Sequence, residues 1–143
     1  MKESFFQFND PVLLKLDYKE NQNFDYEKFN EMKLDFEISV NKSKNNQAFV
    51  TLSLVIGKDA NNPFYLSISM GSEFSWEDEK EDDLISELLN INAPALLTGY
   101  MRPIISLITS SSRFPTFNLP FLDFTQQYKE IKSKGTEKIP SDN

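Results

Sequence analysis

Residues 94–128 read PALLTGYMRPIISLITSSSRFPTFNLPFLDFTQQY. Leu97, Met101, Ile104, Ile105 and Ile108 recur at helical spacing, and Tyr100 and Leu107 widen the apolar stripe. Pro94 suits the first turn of this helix, where a missing N–H costs nothing. Pro103 lies inside the pattern, where proline costs about 3 kcal/mol, so a kink or a restart is expected. Ser110, Ser111 and Ser112 read as the helix terminus. Beyond them, Pro115 and Pro120 hold the next stretch extended, because a residue before proline is driven out of the helical region. Phe124, Tyr128 and Ile131 mark a last short helix. The stripe on the main helix is wider than one sheet face covers, which predicts a second buried contact, between subunits.

Upstream, the apolar period changes to two. Met32, Leu34, Phe36, Ile38 and Val40 alternate with Lys33, Asp35, Glu37 and Ser39, the pattern of a half-buried strand over 32–40. Residues 42–46 read as a turn, and Ala48, Val50, Leu52, Leu54 and Ile56 as the inner face of the next strand. After a second turn at 57–63, Phe64, Leu66, Ile68 and Met70 line another strand that can continue to Phe74 and Trp76. Nearer the start, Phe6, Phe8, Val12, Leu14, Leu16 and Tyr18 share one parity, a strand broken at Asp10-Pro11. Residues 21–30, NQNFDYEKFN, are a polar connector carrying three aromatics. Short turns between the later strands imply antiparallel pairing, and the polar parity of Thr51, Ser53, Ser67 and Ser69 implies one wet face. The acidic run 77–83 leads into Leu84, Ile85, Leu88 and Leu89, one face of a short helix whose start Asp82 and Asp83 complement. The class is α+β, with four antiparallel strands followed by helices. A single domain is expected over 1–132, with 133–143 as a polar disordered tail.

At 143 residues one domain is expected, and a net charge of -7 argues against nucleic acid, whose phosphates need a basic footprint. With no cysteine there is no disulfide framework and no thiolate metal site, which fits a reducing cytoplasm. The start, MKESFFQFNDP, has no basic region leading into an apolar one, so no secretion signal is expected; nor does any apolar run reach the ~18 residues of a membrane span. Histidine is absent, removing the commonest general base. No carboxylate spacing suggests a metal site, and no glycine-rich loop a phosphate cradle. Catalysis and cofactors are therefore not expected. Thirteen phenylalanines are more than so small a domain readily hides, and point to binding by apolar surface.

The C-terminal third resembles the SecB family of protein-export chaperones. Tyr100-Met101-Arg102, then Phe114-Pro115-Thr116-Phe117-Asn118-Leu119-Pro120, then Asp123-Phe124 follow the family pattern without a gap. Lys33-Leu34-Asp35 opens the second strand, and Gly71 with Phe74 closes the fourth, in the family manner. The resemblance covers roughly residues 11–130. It implies helices on one face of the four-stranded sheet, a dimer of dimers, and an ATP-independent holdase in the cytoplasm that captures unfolded chains or preproteins in apolar grooves. Three departures stand out. The 21–30 connector is shorter than usual, Pro103 replaces a helix-friendly residue, and Ser67 stands where export-dedicated members are acidic. The acidic residue after the first strand survives as Glu20, on the surface where SecA docks in the family.

Client-binding candidates follow. Phe117 and Leu122 sit on the proline-held segment, free to line a groove; the plainer alternative is a buried helix connector. By the resemblance, Met32, Leu34 and Phe36 form the groove floor and Tyr128 a wall, with Phe124 as core; ordinary core is the alternative for the strand residues. Arg102 reads either as a subunit-interface ion pair or as a surface charge. Glu20 is a possible SecA contact, and the acidic run a possible partner site or a solvated face. Alternatives to the export holdase are a SecB-like chaperone dedicated to the antitoxin of a toxin–antitoxin system, and a non-chaperone interaction module whose phenylalanines pack between subunits.

Overall fold

The computed structural model describes residues 4–77 and 82–133. An interrupted first strand, β1 (Phe6–Phe8) and β2 (Val12–Glu20), precedes β3 (Leu34–Lys42), β4 (Gln47–Ile56) and β5 (Phe64–Trp76). β3 pairs with β4, β4 with β5, and both N-terminal pieces with β5, all antiparallel. The sheet is thus four strands wide. The break falls at Pro11, which has no N–H to give a ladder. The chain stays attached across it, because the Asn9 amide donates to the Glu73 carbonyl at 3.0 Å and the Ser72 hydroxyl donates to the Asn9 carbonyl.

The expected single parity of the first strand is not observed. A bulge between Leu13 and Lys15 adds one residue, and in a period of two that inverts the faces. Val12 lies opposite Gly71 on the outer face, whereas Leu13 and Leu16 lie opposite Met70 and Ile68 on the helix side. All four residues of 12–14 and 16 remain exposed. β3 also starts two residues later than its alternation suggests, leaving Met32 just before it.

On the helix side, Val50, Leu52, Leu54, Ile56, Leu66 and Ile68 are fully buried. The outer face is polar as read, with Ser53 and Ser69 hydroxyls 2.8 Å apart. Phe49 is one of its apolar exceptions, with Val55 and Val12: the Phe49 ring covers Gly71 so closely that an added Cβ would stand 2.6 Å from it. Gly57 turns the chain from β4 toward β5 at φ +78°, and a Cβ there would meet the Phe64 carbonyl oxygen at 2.0 Å.

The helical part begins with α1 (Asp82–Glu87), widens into a π turn (Leu88–Asn92), and continues as α2 (Ala93–Ser110); α3 (Phe124–Ser133) follows after an irregular segment. Asp82 and Asp83 fall in the first turn of α1; positions 78–81 of the acidic run lie outside the described residues. Ile85 and Leu89 are buried while Leu84 stays exposed. The π turn directly precedes Pro94, where the ladder lacks an amide: the Ala93 N–H donates five residues back to Leu88. Ala93, Leu97, Met101, Ile105 and Thr109, spaced by four, form the stripe buried on the sheet. No restart occurs at Pro103; α2 runs through it. The carbonyl that proline leaves without a donor belongs to Gly99, an exposed residue. Leu107 is 70% exposed and Tyr100 43%, so the widened stripe is not covered within the protomer. The serine terminus is as read: the Ser110 and Ser111 hydroxyls donate to the Leu107 carbonyl at 2.9 and 3.2 Å. Of the tail read from residue 133, only Ser133, which ends α3, is among the described residues.

Candidate functional site

Between α2 and α3 the chain is extended, and α2 fixes it in place. Thr109, fully buried, donates to the Ile105 carbonyl at 2.8 Å and accepts the Phe117 N–H at 2.9 Å. One turn earlier, Ser106 bonds the Asn118 side chain at 3.3 Å. Arg102 donates from Nε to the Leu119 carbonyl at 3.0 Å and from its terminal nitrogen to the Pro120 carbonyl at 3.3 Å. Its guanidinium lies 5.4 Å from the centre of the Phe121 ring, which is 94% exposed. Arg102 is therefore not a free surface charge, and among the described residues it forms no ion pair. It is a clamp on the proline segment, because its planar fork matches two successive carbonyls.

This anchoring aims Phe117 at the sheet, where its ring meets Phe64 edge-on at 6.4 Å. Around that contact opens an apolar cleft of about 220 Å³, lined among others by Met32, Phe64, Phe114 and Phe117. Its remaining wall comes from the 21–30 connector through Phe24, Tyr26 and Phe29. Phe24 is the hub, packing edge-on against Tyr26, Phe29 and Phe114 at 5.6, 5.3 and 5.6 Å. Across Phe64 lies a wider polar cleft of about 780 Å³, whose walls include Tyr18, Glu20, Asn21, Lys58 and Asn62.

The structure brings together two of the residues chosen from sequence, Met32 and Phe117. Leu34, Phe36 and Leu122 are half-buried against the core instead, and the Phe36 ring meets Phe124 edge-on at 5.0 Å. Tyr128 is not a wall of this cleft: only 6% exposed, it donates its hydroxyl to Ser86 at 2.8 Å, because the apolar side of α3 turns inward. Phe124 is buried, as read. Glu20 is taken within the protomer, its carboxylate 3.1 Å from Arg113 Nε. Phe24 and Phe29 were not chosen from sequence, where three aromatics inside a polar connector were the available signal; Phe114 opens the Phe-Pro segment that was. Among the described residues, no group of three or more acidic side chains is placed to hold a metal ion, and no helix is long and apolar enough to cross a membrane.

An antiparallel sheet backed by C-terminal helices has a counterpart among known proteins. The family model for the preprotein translocase subunit SecB matches residues 17–134. The chain belongs to the SecB family. That is a family of chaperones rather than enzymes, and membership supports a chaperone role in protein export. An uncharacterized protein of Methanocaldococcus jannaschii is 32% identical over 111 residues, covering 73% of this chain and 71% of that one. The protein-export protein SecB of Anaplasma phagocytophilum is 35% identical over 61 residues, 43% of this chain and 39% of that one, so the chain matches well under half of that SecB. Among solved structures, a SecB-like chaperone of Mycobacterium tuberculosis, in complex with a ChAD peptide from the HigA1 antitoxin, superposes with a TM-score of 0.66. That match covers 82% of this chain and 91% of the other at 17% identity, a likeness of fold.

Proposed function

We propose that this protein is an ATP-independent holdase that binds unfolded polypeptides by taking their apolar side chains into the cleft bounded by Met32, Phe117 and the connector aromatics. The observation that carries the reading is an aromatic cleft open at the surface of a chain of the SecB family. Each apolar side chain buried there contributes about 1.5–3 kcal/mol, so three or four give roughly 5–12 kcal/mol gross. Ordering the client offsets several kcal/mol of this, leaving each site weak and quickly released. A homotetramer presenting several clefts to one long chain raises avidity about 10²–10⁴-fold. Folded proteins escape capture because their apolar residues are already buried. The clients are preproteins in the cytoplasm. Glu20 is held by Arg113 and Ser67 carries no charge, which argues against SecA docking at those points.

The test is the double variant Met32→Ser with Phe117→Ser, assayed for suppression of aggregation of a thermally unfolding client. Protection should be lost while the mass of the assembly in solution is unchanged; a variant that folds, assembles and still protects would place client binding elsewhere.

A second reading has the same cleft take one segment of a dedicated antitoxin. The solved complex of the M. tuberculosis SecB-like chaperone with an antitoxin peptide favours it. A preference for a single co-purifying polypeptide over a mixture of unfolded chains distinguishes it from the export holdase.

A further inference from the structure

The cleft is small for the task assigned to it. At about 220 Å³ it falls below the ~300–1,000 Å³ of ordinary ligand pockets and has room for little more than one large side chain. A client offering several must widen it, so one wall has to move. The walls differ in anchorage. Phe64 belongs to β5, Phe117 is bonded through its amide to Thr109, and the Phe114 amide donates to Ser112 Oγ at 3.1 Å. The wall formed by residues 21–30 contains only the short 3-10 turn Tyr26–Lys28 and none of its residues is fully buried.

We propose that residues 21–30 are a strap that occupies the cleft as an internal stand-in for client, and that an unfolded chain binds by displacing it. The inference rests on the reading of the cleft as the client site. The strap offers client chemistry: Phe24, Tyr26 and Phe29, spread along a segment that is otherwise polar. Besides the Phe24–Phe114 ring contact, its ties are hydrogen bonds, most of them exposed and of the kind water replaces at little cost. Asn21 donates to the Ala60 and Asn62 carbonyls at 3.1 and 2.9 Å. Asp25 and Asn61 exchange bonds of 2.9 and 3.1 Å. The Glu20–Arg113 pair closes the junction of strap and proline segment at 3.1 Å.

The closed state also carries a penalty. Tyr18 and Asn62 line the polar cleft that residues 21–23 also line. The Tyr18 hydroxyl and Asn62 Oδ1 are sealed from solvent with no hydrogen-bond partner among the described residues. Sealed polar atoms without partners are a cost the closed arrangement carries, and Asn21, at the root of the strap, bonds the backbone of Asn62 beside one of them. Closure is thereby poised rather than locked.

The experiment compares the full chain with Phe24→Ser. If the strap excludes ligands for most of the time, removing its hub raises the affinity for 8-anilinonaphthalene-1-sulfonate about tenfold, since apparent affinity scales with the fraction of competent molecules. Glu20→Gln, which loosens the junction and keeps every aromatic, raises it by a smaller factor. In the unmodified protein, a permanently unfolded polypeptide such as carboxymethylated lactalbumin speeds amide hydrogen exchange across 21–30. Dye affinity unchanged or lowered in both variants overturns the strap, as does exchange at 21–30 that slows on client binding. Dye affinity that rises in the variants while no unfolded polypeptide binds supports the strap and rejects the chaperone reading, so the two failures are distinct.

Discussion

Thr109 shows how much one side chain decides here. Its hydroxyl serves the helix and the proline segment at once, and it has no exposure to water. Thr109→Val keeps the shape and strands the Phe117 N–H, so stability should fall by about 1–3 kcal/mol, read as a lower denaturant midpoint with unchanged slope. The Tyr128 hydroxyl has a lesser part, one bond to Ser86. Tyr128→Phe should cost about 0.5–1.5 kcal/mol by the same measurement and leave client binding intact, because the ring lies outside the cleft. At this scale the sequence was a partial guide. Met32, chosen through the family resemblance, and Phe117, chosen from the Phe-Pro motif, line the same cleft. Tyr128 was misplaced because helical spacing says which residues share a face, not whether the face turns toward a groove or into the core. Arg102 was undecided because its partners are backbone carbonyls, which leave no mark in the sequence.

At the scale of elements, periodicity located every long strand and the main helix. It failed at the first strand, where a bulge resets the parity between Leu13 and Lys15 and no residue type announces it. It allowed a restart at Pro103, whereas the helix runs through it without one. The cost of that proline should still be recoverable: Pro103→Ala is expected to stabilise the protein by about 1–3 kcal/mol, visible as a raised midpoint of thermal unfolding. No gain would mean that the proline's rigidity in the unfolded chain offsets the lost hydrogen bond.

For the whole molecule, the question is what covers the apolar surface left over. Leu107 and Tyr100 on α2, and Leu13, Leu14 and Leu16 on the edge strand β2, are exposed in the protomer. An edge strand with a run of exposed apolar residues invites a partner. We propose that subunits of a dimer of dimers meet at this surface. Leu107→Glu should lower the solution mass of the assembly, without unfolding the protomer, by placing a charge in a buried contact; an unchanged mass would remove the α2 face from the interface. The sequence carried this expectation through the excess width of the stripe, but for the cleft's third wall it offered only three aromatics in a polar connector with no regular period to say where they point.

The claim at the centre is that the cleft beside Met32 receives unfolded chains. The chain has no cysteine, so Met32→Cys creates one reporter in the cleft. Its rate of maleimide labelling should drop several-fold when a carboxymethylated, permanently unfolded polypeptide is added, and should be unaffected by the same polypeptide in its native, disulfide-bonded form. Labelling that proceeds at the same rate with the unfolded polypeptide bound would contradict the account.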